Sequence, residues 1–373
     1  MIRNHIITQE NRNNLFFLNE SWSTAVPALV RVPFYDREKM NEGYVVTYSE
    51  SEQKYHLLKL NTMDGSIIWD TPVTNGGYGT PVVMNGLVFV LKEFESIEAF
   101  DKKTGKSKWD LSTKHRVRTS LNVSENLVWY GSGSHIYGVD EGGNIVKSFH
   151  IPNSFLYGNI SFYKKAILCL GTKYNERMED SYAYLWLISN DGELMYSVEL
   201  GESPVISSDT SGLWVAGDMA YATCEKYVIC IDLNIGKEKW RTEVLGFAGR
   251  HFPIVQNDRV YYTTLRGELG CLETNSGLPI WKKKFQEGII VSPPSIIGGT
   301  LFVLADCSIF AVDKNTGEIY QRKTIGHTPY SAATINGNRI LVGGGEPPIN
   351  GRILCFDVVE ENMISPSKVM VKI

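Results

Sequence analysis

The chain has 373 residues, of which 43% are hydrophobic and 21% are charged, and its formal net charge at pH 7 is −4. A weakly acidic chain has no global basic field, so we expect no nucleic-acid partner. No apolar run approaches the roughly eighteen residues that cross a bilayer, so we expect no membrane span. The opening segment MIRNHIITQENRNN lacks the apolar core and the cleavage site of a signal peptide, which predicts a cytoplasmic protein.

One phrase recurs along the chain: a short apolar stretch, an Asp-like residue, a turn, a Gly and, four residues after the Gly, a Trp. Its better copies are KLNTMDGSIIW (59–69), AFDKKTGKSKW (99–109), CIDLNIGKEKW (230–240) and CLETNSGLPIW (271–281). Degenerate copies are GVDEGGNIVK (138–147), LISNDGELMY (187–196), AVDKNTGEIYQ (311–321) and CFDVVEEN (355–362). The spacing is about forty residues, which is typical of repeat architectures.

Each repeat predicts four short strands. In residues 78–113, for example, YGTPVVMNG, LVFVLKE, SIEAFDK and KSKWDLS are apolar or alternating segments bounded by turn residues. Four antiparallel strands make a blade with two apolar faces, and blades bury these faces by stacking around an axis. We therefore predict an all-β fold, an eight-bladed β-propeller of four-stranded antiparallel blades, as one domain over residues 1–373. Seven blades is the alternative if the 187–196 copy is not a true repeat.

The recurring residues have structural roles that follow from their positions. The Asp-like side chain can accept backbone N–H groups of the turn, the Gly supplies a positive φ, and the Trp can wedge between blades with its indole N–H on a carbonyl. We therefore expect Trp109, Trp240 and Trp281 to be buried. The last copy ends without a Gly or a Trp, so another strand must complete the last blade. The candidates are the N-terminal segment 14–24 and the C-terminal segment 367–373.

The phrase resembles the PQQ-type repeat of the superfamily that contains quinoprotein alcohol dehydrogenases and BamB-like proteins, and the resemblance covers residues 25–360. It implies a propeller that is either a quinone-dependent dehydrogenase or a non-catalytic member. The chain departs from the dehydrogenases because no two cysteines are adjacent, so their vicinal disulfide cannot form, and because their metal-binding Glu, Asn and Asp cannot be located. We therefore expect no PQQ, no other cofactor and no metal. The lipobox of BamB-like lipoproteins is also missing.

The six cysteines form no C-x-x-C pair, and no histidine spacing indicates zinc. In three copies a cysteine stands two residues before the Asp-like position, where other copies have Ala or Gly: Cys230, Cys271 and Cys355, against Ala99, Gly138 and Ala311. This slot favours a small side chain against the next blade, and Cys serves there as a small apolar residue. We expect buried thiols without disulfides, as in a reducing compartment.

Alignment of the repeats places polar residues around one mouth of the axial channel. The position before each innermost strand carries Tyr or Arg in five copies, with histidines and another arginine beside it: Tyr78, Arg118, Tyr157, Arg250 and Tyr330, with His115, Arg116, His251 and His327. Tyr offers a hydroxyl donor, and Arg offers a planar fork for carboxylate or phosphate. The ring predicts a site for a small anionic ligand or a protein partner. The alternative is that these side chains bond loop carbonyls and hold the blades in register.

Three segments depart from the repeat pattern: GTKYNERMEDSY (171–182), GGGEPPINGR (343–352) and YDREKMNEG (35–43). The first two are candidate contact surfaces, because loops longer than a fold requires are often functional. The third is interpreted as a solvated loop.

We predict a non-catalytic binding module or scaffold that is monomeric and binds a protein partner or a small anionic ligand. No catalytic or nucleotide-binding motif is present. The alternative is an enzyme at the channel mouth, either a PQQ-dependent dehydrogenase or an enzyme that uses His115, His251 or His327 as a general base.

Overall fold

The computed structural model describes residues 15–30, 33–36, 39, 41–73, 80–92, 95–113, 115–174, 181–202, 212–248, 251–285, 290, 292–305, 307–326, 332–346 and 350–360. These ranges contain strands and turns and no helix, and so no helix that could cross a membrane. The strands build eight sheets of four antiparallel strands, two of which have an additional short strand. The predicted eight-bladed all-β propeller is confirmed, and the seven-bladed alternative is wrong.

The first half of the chain supplies one strand of the last blade and then blades 1 to 4. In chain order the strands are β1 (Phe16–Val26); β2 (Leu29–Val30), β3 (Phe34–Tyr35), β4 (Glu42–Ser49), β5 (Lys54–Asn61) and β6 (Ile67–Val73) of blade 1; β7 (Val82–Met84), β8 (Leu87–Lys92), β9 (Ser96–Asp101) and β10 (Ser107–Ser112) of blade 2; β11 (Thr119–Ser120); β12 (Asn122–Ser124), β13 (Leu127–Ser132), β14 (His135–Val139) and β15 (Ile145–His150) of blade 3; and β16 (Ser154–Tyr163), β17 (Ala166–Tyr174), β18 (Ser181–Ile188) and β19 (Leu194–Glu202) of blade 4.

The second half supplies blades 5 to 8. The strands are β20 (Leu213–Ala216), β21 (Met219–Cys224), β22 (Tyr227–Asp232) and β23 (Lys237–Glu243) of blade 5; β24 (Ile254–Gln256), β25 (Arg259–Thr263), β26 (Glu268–Glu273) and β27 (Pro279–Lys284) of blade 6; β28 (Ser295–Ile297), β29 (Thr300–Ala305), β30 (Ser308–Asp313) and β31 (Ile319–Thr324) of blade 7; and β32 (Thr334–Asn336), β33 (Arg339–Glu346) and β34 (Asn350–Glu360) of blade 8. The order β32-β33-β34-β1 makes the N-terminal strand the outer strand of blade 8. The competing segment 367–373 lies outside the described residues.

The antiparallel order divides the turns between two faces. The Asp–Gly turns, such as 101–106, and the turns between first and second strands lie on one face, which we call the turn face. The connections between blades, such as 115–118, and the turns between second and third strands, such as 133–134, lie on the other, which we call the mouth face.

The aromatic residue of an outer strand docks on the Asp–Gly turn of the next blade. Its indole N–H or hydroxyl donates to the carbonyl that follows the Asp-like position, at 2.8–3.3 Å: Trp22 to Thr62, Trp69 to Lys102, Trp109 to Glu141, Tyr196 to Leu233, Trp240 to Thr274 and Trp281 to Lys314. The predicted indole–carbonyl bond is therefore confirmed. Burial is less uniform than expected: Trp240 is buried, whereas Trp109 and Trp281 are half-buried because the outer strands border solvent.

Each outer strand carries one extra residue immediately before its docking aromatic or the equivalent position: Ser21, Ile68, Lys108, Val146, Met195, Lys239, Ile280 and Tyr320. Such a β-bulge bends the strand and interrupts its free edge, which hinders edge-to-edge pairing with other sheets. The sequence phrase predicted the turn and the aromatic residue but not the bulge.

Cys230, two residues before an Asp-like position, packs against aromatic residues of its own blade. Cys230 pairs with Tyr221 on one neighbouring strand and with Trp240 on the other. The two rings approach to 6.0 Å between centroids above the small side chain. Cys230 thus lies beside two rings of its own blade, and it also belongs to a buried cluster that includes Tyr261 and Leu269 of the next blade.

The interpretation of 35–43 as a solvated loop is wrong at Asp36. Its carboxylate is fully buried and lies 2.6 Å from Lys102 Nζ, which is itself nearly buried. Lys102 comes from the Asp–Gly turn of blade 2, so this ion pair fixes the start of blade 1 to its neighbour. Glu42, at the far end of the segment, is also largely buried and lies 2.9 Å from Lys59 Nζ.

Candidate docking site at the channel mouth

One described part of the predicted mouth is the connection between blades 2 and 3. Its backbone is attached to the turn between β13 and β14: Ser132 Oγ donates to His115 O, Gly133 N donates to Arg116 O at 3.4 Å, and Val117 forms an isolated bridge with Ser132. Val117 is buried, whereas His115 and Arg116 are exposed. A fixed backbone therefore presents two basic side chains on the mouth face.

The next residues of this connection join blade 4. β11 pairs in parallel with β16, with Thr119 opposite Gly158, and Gly158 N donates to Arg118 O at 3.2 Å. The Thr119 hydroxyl also accepts Gly131 N at 2.7 Å. Arg118, which is half-buried, is therefore adjacent to Tyr157 along this strand pair. A parallel contact between blades could not be predicted from a pattern of four antiparallel strands.

Tyr157 lies deeper than the predicted rim position suggests. It is 6% exposed and belongs to an apolar cluster with Leu170, Ala183 and Leu213. Its ring therefore packs between blades 4 and 5, which agrees with the structural alternative for this position.

His251 is also a buried structural residue. It is 2% exposed, its N–H donates to Ala248 O at 3.0 Å, and its carbonyl accepts the Thr223 hydroxyl at 2.8 Å. Its Nδ1 lies 2.9 Å from Thr263 Oγ1, and that hydroxyl donates to Ser292 O at 3.0 Å. Because a hydroxyl has one hydrogen, Nδ1 must be the donor to Thr263. His251 thus links blades 5, 6 and 7.

The remaining residues predicted for the mouth, Tyr78, Arg250, His327 and Tyr330, lie outside the described residues. Their roles stay predictions. Of the predicted set, the structure groups His115, Arg116, Arg118 and Tyr157 at blades 3 and 4, and it locates His251 separately at blade 6.

The insertion at 171–182 raises blade 4 above the mouth face. β17 has nine residues and β18 has eight, against six in β13, and β16 and β19 are also long, with ten and nine. The Tyr184 hydroxyl donates to Glu199 at 2.7 Å and ties two of these strands together. We call the resulting projection, made of residues 154–156, 172–174, 181–183 and 200–202, the blade-4 lip. It stands beside Arg118 and is a feature that the sequence suggested only as an insertion.

The described residues offer no group of three or more His, Cys, Asp and Glu side chains that could hold a metal ion. A cavity of about 10 Å³ between blades 3 and 4 at the turn face has room for about one water molecule. It is lined by Ser124, Glu125, Trp129, Phe162, Lys164, Lys165, Ile167 and Asn190.

Comparison with known proteins gives one family. A family model described as outer membrane protein assembly factor BamB matches residues 22–154 and 224–357. The outer membrane protein assembly factor BamB of Burkholderia pseudomallei (strain K96243) is 23% identical over 258 residues, which are 65% of this chain and 64% of that protein. The chain therefore spans a little less than two thirds of the length of this relative.

Solved structures share the fold. BamB from Moraxella catarrhalis superimposes with a TM-score of 0.70 at 14% identity, over 91% of this chain and 100% of that chain. A europium-containing methanol dehydrogenase gives a TM-score of 0.76 at 11% identity, over 91% of this chain and 93% of that chain. At such identities the likeness concerns the fold alone.

Proposed function

The chain belongs to the family of outer membrane protein assembly factor BamB, and from this membership we propose that it is a non-catalytic scaffold that binds a protein partner. The relatives are named as assembly factors, and such a role requires a docking surface rather than an active site. The mouth face beside the blade-4 lip is the docking surface that we propose.

One observation carries this proposal: His115 and Arg116 are exposed on a backbone that is fixed to blade 3, and Arg118 follows on a backbone fixed to blade 4. A basic segment held in one conformation loses little entropy on binding, which favours affinity. Arginine at an interface makes charge-assisted bonds to carboxylates. We therefore propose that the partner presents an acidic segment to residues 115–118.

An enzymatic role receives less support from the same geometry. His251, one of the candidate general bases, is buried and its Nδ1 is engaged with Thr263. The described part of the mouth exposes Arg116 and part of Arg118, and arginine is enriched in protein interfaces. The scaffold is therefore the function that we favour over a quinone-dependent dehydrogenase.

The mouth prediction is tested by affinity capture from the native cell. The wild-type chain should recover a specific partner, and the variant Arg116→Ala/Arg118→Ala should recover it at least tenfold less, because each lost charge-assisted bond is worth about 1.5–3 kcal/mol. Quantitative mass spectrometry of the captured proteins gives the ratio. Raising the salt concentration should weaken capture in the same direction.

The matched control is Lys103→Ala/Lys106→Ala, which removes two exposed cations from the turn face of blade 2. It should capture the partner as the wild type does. Equal capture by wild type, mouth variant and control would contradict docking at residues 115–118.

We also propose that the protein works in the cytoplasm. All six cysteines lie among the described residues and none forms a disulfide; five are buried. Burial raises the pKa of the Cys224 thiol to about 12 and that of the Cys230 and Cys355 thiols to about 11, so these groups are protonated at neutral pH. Six thiols in one chain are typical of a reducing compartment.

Thiol titration tests the compartment. Protein taken from the native cell and denatured without reductant should show six thiols. Before denaturation the half-buried Cys307 should react quickly and the five buried cysteines slowly, because reagents reach exposed thiolates first. Four or fewer thiols in the denatured protein would contradict the cytoplasmic assignment.

A further inference from the structure

Two cations lie together on the turn face, where blade 6 meets blade 7. Lys314, in the Asp–Gly turn of blade 7, is 9% exposed, and its Nζ donates to Gln256 Oε1 at 3.0 Å and to Gly298 O at 2.7 Å. Arg259 stands opposite Gln256 in the register of β24 and β25, so these two side chains leave the sheet on the same side, toward blade 7. We call Gln256, Arg259, Gly298 and Lys314 the blade 6–7 seam.

Neither cation of the blade 6–7 seam has a carboxylate partner. Among the residues that the structure describes, no salt bridge involves Arg259 or Lys314. Glu273 stands opposite Arg259 in the strand register, but its carboxylate accepts the Ser276 hydroxyl instead. The guanidinium makes one long contact, 3.9 Å from Nη1 to Cys271 Sγ. Most of the N–H donors of Arg259 are therefore available to a ligand.

The local field at Lys314 is that of an uncompensated cation. Burial lowers the pKa of Lys314 below its ordinary value of 10.5, and the charge of Arg259 lowers it further. The charge of Asp313 opposes both effects without reversing them, and its Oδ1 accepts Asn315 N at 2.7 Å within the turn. Two like charges in a partly buried place cost free energy, which a bound anion would offset.

The contact between blades 1 and 2 has the same construction but contains carboxylates. Lys102 follows the Asp-like residue of blade 2, as Lys314 follows that of blade 7. Asp36 Oδ2 lies 2.6 Å from Lys102 Nζ, whereas Lys314 Nζ meets the neutral amide oxygen of Gln256. Two lysines at one position of the repeat thus differ in their partners, and among the described residues no carboxylate is bonded to Lys314.

Arg259 differs in the same way from the residues at its own position in other blades. This position stands opposite the Asp-like residue. In blade 1 it carries Glu42, whose carboxylate lies 2.9 Å from Lys59 Nζ. In blade 8 it carries Arg339, whose Nε lies 2.9 Å from Asp357 Oδ1. The guanidinium of blade 8 is therefore neutralised within its own strand pair, and the guanidinium of blade 6 is not.

We propose that Arg259 and Lys314 bind a small dianionic oxyanion of the phosphate type on the turn face, at a site separate from the channel mouth. The planar fork of an arginine and the point charge of a lysine are both common phosphate ligands. A phosphate group carries about −1.5 to −2 charges at pH 7, which matches two cations, whereas a single carboxylate matches one. Arg259 is half-buried, so an anion can reach it from solvent.

Isothermal titration calorimetry of the full chain with inorganic phosphate tests the site, with the ionic strength held constant by sodium chloride. The wild type should bind one phosphate. Arg259→Gln and Lys314→Met should each bind it at least tenfold more weakly, because each removes a charge-assisted hydrogen bond. Phosphate should also raise the Tm of the wild type and not that of either variant, since a ligand stabilises only the state that binds it. Arg259→Gln alters a partly exposed side chain, so it keeps the test valid if Lys314→Met does not fold.

Two control variants should bind phosphate as the wild type does. Arg339→Gln removes the arginine at the equivalent position of blade 8, and Arg116→Ala/Arg118→Ala alters the mouth, so the second control separates this site from the proposed docking surface. Absence of phosphate binding in the wild type, or equal affinity in Arg259→Gln, would overturn the proposal. Acetate that binds as tightly as phosphate would overturn the assignment of a dianion.

Glycerol 3-phosphate distinguishes the source of the phosphate group. Binding that depends on Arg259 as the binding of inorganic phosphate does would support a phosphate monoester as the natural ligand. Binding of inorganic phosphate alone would support the free ion at the same site. Glycerol 3-phosphate that binds equally to the wild type and to Arg259→Gln would contradict a monoester site in the blade 6–7 seam.

Discussion

Replacing Trp240 with Ala is expected to lower the free energy of unfolding by about 3–5 kcal/mol, the range for truncation of a buried large aromatic side chain. Trp240 is 8% exposed, and its indole N–H donates to Thr274 O at 2.8 Å. Its ring covers Gly277 so closely that a Cβ on that glycine would lie 2.5 Å from Trp240 Cε3. Truncation opens a cavity between blades 5 and 6 and leaves a carbonyl without its donor. Urea denaturation of variant and wild type measures the loss.

Two further variants separate burial from hydrogen bonding. Trp240→Phe retains most of the ring but loses the N–H, so its cost should be smaller than that of Trp240→Ala. Trp281→Ala removes the same motif where the ring is half-buried, so it too should cost less. Wild-type stability in Trp240→Ala would mean that the contact between blades 5 and 6 does not depend on this ring.

The fold was predictable because the repeat phrase consists of local features. The turn glycine and the aromatic residue four positions later recur at a regular spacing. Each takes part in a contact between neighbouring blades, and this contact repeats around the propeller. The pattern predicted that a Trp wedges between blades with its N–H on a carbonyl, and the structure identifies that carbonyl for Trp240 as Thr274 O. The pattern also predicted the degenerate copy at 187–196 to be a repeat. In the structure Tyr196 of this copy makes the same bond, to Leu233 O.

The mouth was less predictable than the fold. Alignment of the repeats shows where along the propeller axis a residue lies, but it does not show which side chains surround that residue. His251 is buried because Thr223 and Thr263, on the second strands of two blades, close around it. The parallel pairing of Thr119 with Gly158 likewise depends on two blades at once. Neither arrangement can be predicted from the sequence of its own segment, because each depends on residues of another blade.

The charged run at 35–43 was also misjudged from its own sequence. Its composition is typical of a solvated loop, yet Asp36 is buried because Lys102 reaches it from the next blade. A carboxylate is tolerated in the interior when a cation is supplied with it. The partner lies in another repeat, so composition within the run could not reveal the pair.

This ion pair is where the second large effect is expected. Lys102→Met should lower the free energy of unfolding by about 3–5 kcal/mol, because it removes the cation that lies 2.6 Å from the fully buried Asp36 carboxylate. The double variant Asp36→Leu/Lys102→Met should recover much of that loss, since apolar residues of similar size often replace a buried pair at little cost. Urea denaturation of both variants gives the comparison. A double variant that is as unstable as the single one would show that the pair is needed for a reason other than charge balance.

Lowering the pH should also destabilise the start of blade 1, because Glu42 becomes protonated. Burial alone would raise the pKa of Glu42, but the hydrogen bond and charge of Lys59, together with the charges of Lys39 and Lys102, hold this pKa below its ordinary value of 4.5. A carboxyl whose pKa is lowered by folding adds stability that is complete above the unfolded pKa and disappears as the pH falls through the folded one. The wild type should therefore lose more stability than Glu42→Gln as the pH is lowered below 4.5. Parallel stability curves for the two proteins across that range would mean that the Glu42–Lys59 pair contributes nothing to the folded state.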